Sequence, residues 1–378
     1  MSTTIIAQPG SIVNVYPKNV TIATQKRLTK AREKRAERQA DEKKPMYIRW
    51  DEHKKDAQEI GDRLIKAGLP KRGWRIKLCS QELIVNRCRD CGSISIKGAQ
   101  LCRDRLCPLC AWRLAIKRYA AMQSIMAALY EDYSGYAYRL VTLTCRTCAP
   151  DKLSQTIELM QQAWHECVKQ RWARRELIGW AKSLECTYNA ERDEIHPHYH
   201  LIVMHAPGDG VPGRLVREWL DRCKKVGLVA VYEAQHIDYI VDNHEAGESL
   251  AGAICEVYKY MVKSKDTASM PLSTLATFAR EIAGFRLVSF GGVIKKVAAA
   301  LKLDKLDSPD DSTDIEVCTK CKSTDVDTMI ARWSLRGMHY YTMQGKSMID
   351  ILSHPVQDTR VSDTDDNDDD FLPINDDF

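Results

Sequence analysis

EIHPHYHLIV, residues 194–203, sets three of the chain's ten histidines at alternate positions, His196, His198 and His200, and then runs into aliphatic residues. On an extended strand residues two apart share a face, so the three imidazoles project together. Leu201, Ile202, Val203 and Met204 continue as the apolar run of a strand buried in a sheet, which favours the extended reading over a helical one. Neutral imidazole is the commonest ligand for divalent transition metals, and a rigid element aims ligands better than a loop does. The stretch is therefore read as a metal-binding strand rather than a half-buried polar face. Two of the three histidines would reach one ion, alongside a third ligand from elsewhere.

Working outward, residues 183–189 (SLECTYN) read as a second strand, and NAERDE turns it back into the histidine strand as a hairpin. With residues 189 and 196 near its ends, Glu185 falls opposite roughly His200 and can supply the third, oxygen ligand. Residues 138–145 (YRLVTLTC) read as another strand. After Pro150, Asp151 caps a helix with Leu153, Ile157, Trp164 and Val168 at helical spacing, ending near Arg175. Residues 213–225 read as helix, 228–236 as extended and 249–263 as helix. From Phe285, FRLVSFGG reads as a strand closed by a glycine turn. Hairpin-joined strands with helices between them predict an α+β fold, a central, largely antiparallel sheet with flanking helices.

Cysteines concentrate in CRDCGSISIKGAQLCRDRLCPLCAWR, residues 88–113. Cys88 and Cys91, then Cys107 and Cys110, form a C-x2-C, x15, C-x2-C pattern that fits one tetrahedral structural zinc site, and Cys102 can replace one of the four. Cys79 stands nearby. A site of four thiolates leaves no open position for a substrate, so its role is structural: it fastens a small module that cannot bury enough surface alone. Residues 112–119, with Arg113, Lys117 and Arg118 beside aromatics, would present a basic helix to DNA. Cys145 and Cys148 with Cys318 and Cys321 are a further, more distant pairing.

At 378 residues the chain is long enough for two or three domains. No stretch has the uninterrupted apolar length of a membrane span, and the N-terminus lacks the pattern of a secretory signal, so a cytoplasmic protein is expected, with no membrane partner. In that compartment disulfides are rare, and fourteen cysteines point to metal. The last 21 residues hold nine aspartates against one arginine, a net of −8, so an overall +5 leaves the body at +13. A basic body with an acidic tail suggests a nucleic-acid partner. Residues 24–44 carry nine Lys or Arg against four acids, read either as a solvated helix or arm, or as an arm that tracks phosphates.

A second chemical site lies in ICEVYKYMVKSKD, residues 254–266. On a helix Glu256 and Tyr260 share a face, Lys263 follows three residues on, and Tyr258 points away. A tyrosine beside a carboxylate and lysines can attack a phosphate, with cations offsetting the developing charge. Taken alone, this spacing is also that of an ordinary helix face.

The ordered set of the VTLTCR strand, HPHYH followed by LIV, and EVYKYMVK resembles the three motifs of HUH endonucleases, in which U is a bulky apolar residue. Within that superfamily the chain is similar to rolling-circle replication initiators of small plasmids. LCPLCAWR resembles the cysteine-rich segment of initiators typified by staphylococcal plasmids. The resemblance covers about residues 86–292. It implies His198 and His200 as ligands of Mg²⁺ or Mn²⁺, with His196 opening the longer motif, and Tyr260 as nucleophile. Glu256 stands where some relatives have a second tyrosine, and Lys259 and Lys263 would position the phosphate. It also implies plasmid origin DNA, duplex and single-stranded, as partner, with a host helicase and polymerase following. A HUH transposase, a hydrolase attacking with water and a non-catalytic zinc-dependent copy-number regulator are the competing readings. The expected organisation is a basic arm (1–46), a zinc-binding DNA-contact module (47–125), a nicking domain (130–295), an accessory region (296–357) and an acidic disordered tail (358–378). Oligomeric state is left open.

Overall fold

The computed structural model describes residues 46–133, 135–208, 210–240, 264–303, 309, 317–318 and 320–342. The chain divides into two units, residues 1–53 and 54–378. Of the first, residues 46–53 are described and are helical. In chain order the described elements begin with α1 (Met46–Lys66), α2 (Pro70–Lys77), β1 (Glu82–Cys88), β2 (Ile94–Ala99), α3 (Pro108–Asp132) and β3 (Ala137–Thr144). They continue with α4 (Leu153–Lys169), α5 (Arg171–Glu176), β4 (Leu177–Asn189), β5 (Glu194–His205), α6 (Gly210–Lys225) and β6 (His236–Tyr239). Last come α7 (Ser264–Ser269), α8 (Leu272–Glu281), β7 (Val288–Gly291), α9 (Gly292–Ala300), β8 (Val326–Ser334) and β9 (His339–Thr342). The fold is α+β, as the strand and helix patterns predict, with two antiparallel sheets flanked by helices.

The larger sheet has the order β6-β3-β5-β4-β7, all antiparallel, with the histidine strand β5 at its centre. Because side chains alternate across a strand, each face can be read separately. On one face Leu140, Ala181, Ile202, Met204 and Val288 pack beneath Met122, Ile125, Met126 and Leu129 of α3 and Val293, Ile294 and Ala298 of α9. Further along the same strands this face continues as Thr142, Thr144, Ser183, Glu185, His200 and His198. One sheet surface thus changes from oily core to candidate ligands within a few residues. The turn from β7 into α9 needs glycine at residue 292, where φ is +59° and a Cβ would meet the Ile178 carbonyl at 2.1 Å.

The opposite face carries α4 and α6, which pack on each other. Both helices bury an i, i+3/i+4 stripe: Leu153, Ile157, Met160 and Trp164 in one, Leu215, Val216, Trp219 and Cys223 in the other. Tyr199, between His198 and His200 in sequence, faces this side, its ring 6.0 Å from that of Trp219. Lys182 lies here too, its Nζ 3.6 Å from the centre of the Tyr199 ring. Burial pushes its pKa from the ordinary 10.5 down to about 7. The unfolded chain then binds more protons than the folded one between about pH 7 and 10.5. Native stability therefore rises with pH across that window, by up to about 1.4 kcal/mol per unit from this one group. Lys182→Met is expected to flatten that slope and to raise stability most at or below pH 7, as denaturant unfolding of both proteins at pH 7, 8 and 9 will show.

Three segments depart from the sequence reading. The helix expected to reach Arg175 is broken at Gln170, whose ψ of 144° separates α4 from α5. Residues 228–236 are not one strand. They contain a 3-10 turn at Tyr232–Ala234, and only β6 pairs with β3. Beyond β6 the side chain of Gln235 replaces the ladder: Oε1 accepts from the Thr144 backbone N–H at 2.8 Å and Nε2 donates to the Thr144 carbonyl at 3.2 Å. Finally, the smaller sheet, of order β2-β1-β8-β9, joins residues 82–99 to 326–342. The segment expected as a separate accessory region therefore supplies half of the sheet in the cysteine-rich module. No described helix is long and apolar enough to cross a membrane.

Candidate metal centre and cysteine clusters

The β4–β5 hairpin is closed by Asn189, whose Oδ1 accepts from the N–H groups of Glu191 (3.0 Å) and Arg192 (3.2 Å). This turn sets the register: Ser183 lies opposite His200, Glu185 opposite His198 and Thr187 opposite His196. Glu185 was expected opposite His200. The true register differs by two residues, which preserves the face. Glu185 Oε2 lies 2.8 Å from His200 Nε2 and 3.5 Å from His198 Nε2, and the two imidazoles meet edge to face at 4.8 Å.

Each ring is held from behind. His198 Nδ1 donates to the His196 carbonyl at 3.1 Å, since a carbonyl only accepts, and this leaves Nε2 as the ring nitrogen that faces Glu185. His200 Nδ1 lies 3.2 Å from Thr142 Oγ1. All three residues are buried, with 6–8% of their surface exposed. Burial opposes the Glu185 charge, yet hydrogen bonds from His198 and His200, and their charges, hold its carboxyl well below the usual range. A buried carboxylate converging with two oriented imidazoles, all ligand atoms within 4.8 Å, is a donor set that fits a divalent cation. Thr142→Val is expected to lower metal affinity by about 10–100-fold and Thr142→Ser to restore it, measured by titration calorimetry with Mn²⁺.

His196 stands outside that triad. Its Nε2 contacts Thr144 Oγ1, and burial followed by the charge of His198 pushes its pKa down. Thr144 is fixed by Gln235 and by Trp219, whose Nε1 donates to its carbonyl at 3.0 Å. The threonines of VTLTC thus orient the histidines, a role visible only once the β3–β5 register is known: Thr142 opposite His200, Thr144 opposite His198. Tyr260, Glu256, Lys259 and Lys263 lie outside the described residues, as does the whole of the helix expected at 249–263.

The cysteines assemble differently from the single C-x2-C, C-x2-C site. Cys107 and Cys110 join Cys79 and Cys102, whereas Cys88 and Cys91 join Cys318 and Cys321. The four expected ligands are therefore split between two clusters, because β1 carries Cys88 away from the residue 79 end. The alternative pairing of Cys318 and Cys321 with Cys145 and Cys148 is also corrected, since Cys148 bridges to Ile195 in the large sheet. In the first cluster Cys110 Sγ lies 3.5 Å from Cys79 Sγ and 3.6 Å from Cys102 Sγ. Cys107 is the N-cap of α3, with Pro108 following, and burial pushes its thiol pKa up. Asp104 shapes the intervening loop, accepting a two-pronged bond from Arg72 at 2.8 and 2.9 Å, one from Arg75 at 2.5 Å and one from the Leu106 N–H. Lys54 supplies a buried cation close by, its Nζ donating to the Cys79 carbonyl at 2.5 Å. Burial brings its pKa down to about 8 against the pull of the thiols. Cys79 is the member of the cluster that the spacing rule missed: it has no C-x2-C partner. The basic helix is not a free surface at residues 112–119, because Arg118 is buried and Arg113 and Lys117 are half-buried.

A family model described as Replication protein matches residues 93–341. Among curated relatives, a protein named Protein rep from Streptococcus pneumoniae serotype 2 is 25% identical over 281 residues, covering 71% of this chain and 83% of the relative. One from Bacillus sp is 25% identical over 266 residues, covering 65% and 86%. One from Staphylococcus aureus is 26% identical over 171 residues, covering 44% and 72%. No solved structure matches the chain.

Proposed function

Because this chain belongs to the Replication protein family, we propose that it initiates rolling-circle replication of a plasmid as a metal-dependent nicking and joining enzyme. The observation that carries the reading is the convergence of Glu185, His198 and His200 at the centre of the large sheet. Mg²⁺ or Mn²⁺ bound there would polarise a phosphate oxygen of single-stranded origin DNA. The Tyr260 oxygen attacks the phosphorus and loses its proton to a base. The bond from phosphorus to the 3′ oxygen breaks, and that oxygen leaves protonated as the 3′-hydroxyl primer for a host polymerase, after a host helicase opens the duplex. The 5′ phosphate stays on the protein as a phosphotyrosine. Lys259 and Lys263 hold the phosphate, and Glu256 activates water or assists a second transfer when one round is complete. The buried cluster of Cys79, Cys102, Cys107 and Cys110 holds structural zinc in this reading.

A single-stranded oligonucleotide from the plasmid origin, labelled at both ends and incubated with the protein and Mn²⁺, tests the proposal on a denaturing gel. A protein adduct on the 3′ fragment is the expected result. Cleavage without an adduct would overturn it in favour of a hydrolase that uses water, and binding without cleavage in any divalent metal would leave a non-catalytic regulator.

A further inference from the structure

The second cysteine cluster has a regularity in both sequence and backbone. CRDCGS at 88–93 and CTKCKS at 318–323 share the pattern C-x2-C-x-S, 230 residues apart. Their chain paths match as well. In the first, Gly92 N–H donates to the Cys88 carbonyl at 3.0 Å and Cys88 N–H to the Ser93 carbonyl at 2.9 Å. In the second, Lys322 N–H donates to the Cys318 carbonyl at 2.9 Å and Cys318 N–H to the Ser323 carbonyl at 2.7 Å. The residue after each second cysteine takes a positive φ, 67° at Gly92 and 64° at Lys322. Lys322 adopts there a conformation that non-glycine residues rarely take. Two equal tight turns, each offering two thiols, face one another.

The facing thiols have the spacing of metal ligands. Cys88 Sγ lies 3.5 Å from Cys321 Sγ, Cys91 Sγ lies 3.5 Å from Cys318 Sγ, and all four cluster within 4.8 Å. A tetrahedral zinc ion with bonds of about 2.3 Å holds its sulfurs about 3.8 Å apart. The polar surroundings also suit thiolates: the Ser93 hydroxyl lies 3.1 Å from Cys91 Sγ and 3.0 Å from Cys318 Sγ, and Cys321 N–H points at Cys318 Sγ. The two turns are further bound together by Arg89, whose N–H donates to the Asp325 carbonyl at 3.0 Å and whose guanidinium pairs with Asp327 at 2.6 Å.

We infer that the chain carries two structural zinc ions, the second held by Cys88, Cys91, Cys318 and Cys321 as a pair of opposed knuckles. This ion joins the first hairpin of the small sheet to its last, and β1 runs between the two zinc sites, with Cys79 just before it and Cys88 at its end. The cysteine-rich module is therefore built from two distant parts of the chain. The two sites also differ in exposure: Cys79, Cys107 and Cys110 are buried, whereas Cys321 is exposed. The second ion is expected to leave first on treatment with a chelator.

Native mass spectrometry of the full chain, in a His200→Ala background so that the histidine centre adds no zinc, tests this directly. Two zinc ions per chain are expected, falling to one in Cys318→Ser/Cys321→Ser. X-ray absorption at the zinc edge of the same His200→Ala chain is expected to show four sulfurs per zinc, a measurement that does not depend on the cysteine variant folding. One zinc in the parent chain would overturn the proposal, as would two retained in the double variant. A parent mass four hydrogens light, with disulfides mapped to these four cysteines, would overturn it too.

Discussion

Tyr260→Phe is expected to abolish the covalent protein–DNA adduct completely, while Tyr258→Phe leaves it intact. Phenylalanine keeps the ring but removes the only atom able to form the phosphodiester, so no residual adduct is expected from this position. The two tyrosines are two residues apart and on a helix diverge by about 200°, so one substitution cannot stand in for the other. Glu256→Gln separates the second half of the cycle from the first. If Glu256 activates water or a second transfer, the adduct still forms at a near-normal rate and then persists, with release slowed by roughly 10²–10⁴-fold, the usual worth of general base catalysis. Single-turnover gels with labelled origin strand read both steps. An adduct that survives Tyr260→Phe would move the nucleophile elsewhere and sink the assignment.

Loss of the buried cysteine cluster is expected to have the largest effect on stability. Cys107 and Cys110 sit at the start of α3, whose later turns Met122, Ile125, Met126 and Leu129 cover the large sheet. Zinc bound by four thiolates is worth about 10–16 kcal/mol in small metal-dependent domains. That equals or exceeds the whole stability of a typical domain, about 5–15 kcal/mol. Cys110→Ser, or refolding of the parent chain in the presence of a strong chelator, is therefore expected to yield protein without a cooperative thermal transition. Readdition of zinc should restore the transition in the parent alone. A sharp transition in zinc-free parent protein would show that the cysteines pack as ordinary core.

The histidine strand was legible because its signal is local. Period-two spacing in EIHPHYHLIV fixes both the strand and the face, and the adjoining SLECTYN supplies Glu185 from the neighbouring arm of a short hairpin. A two-residue error in register did no harm, since alternation returns a side chain to the same face after two steps. The cysteine clusters were harder to read because cysteine spacing reports which residues can share a turn but not which turns come together. Cys79 lies nine residues before Cys88, and Cys318 lies more than two hundred after it. Only the pairing of Glu82–Cys88 with residues 326–332 brings those turns together. The C-x2-C-x-S repeat was available in the sequence and would have matched Cys88 to Cys318. Gln235 was illegible for a different reason: its amide does the work of a backbone, and no periodicity marks a side chain that imitates a strand.

The pairing of β1 with β8 also has a consequence for the order of events at the ribosome. When β1 emerges, β2 covers one of its edges, but the partner for the other edge is not encoded until residues 326–332, some 240 codons later. At about 5–20 residues per second, that edge waits on the order of ten to fifty seconds for its neighbour. A chain released early never receives it. Such a fragment keeps an open strand edge, the kind of surface that pairs with other chains and draws proteases, so the fold itself distinguishes finished polypeptides from incomplete ones.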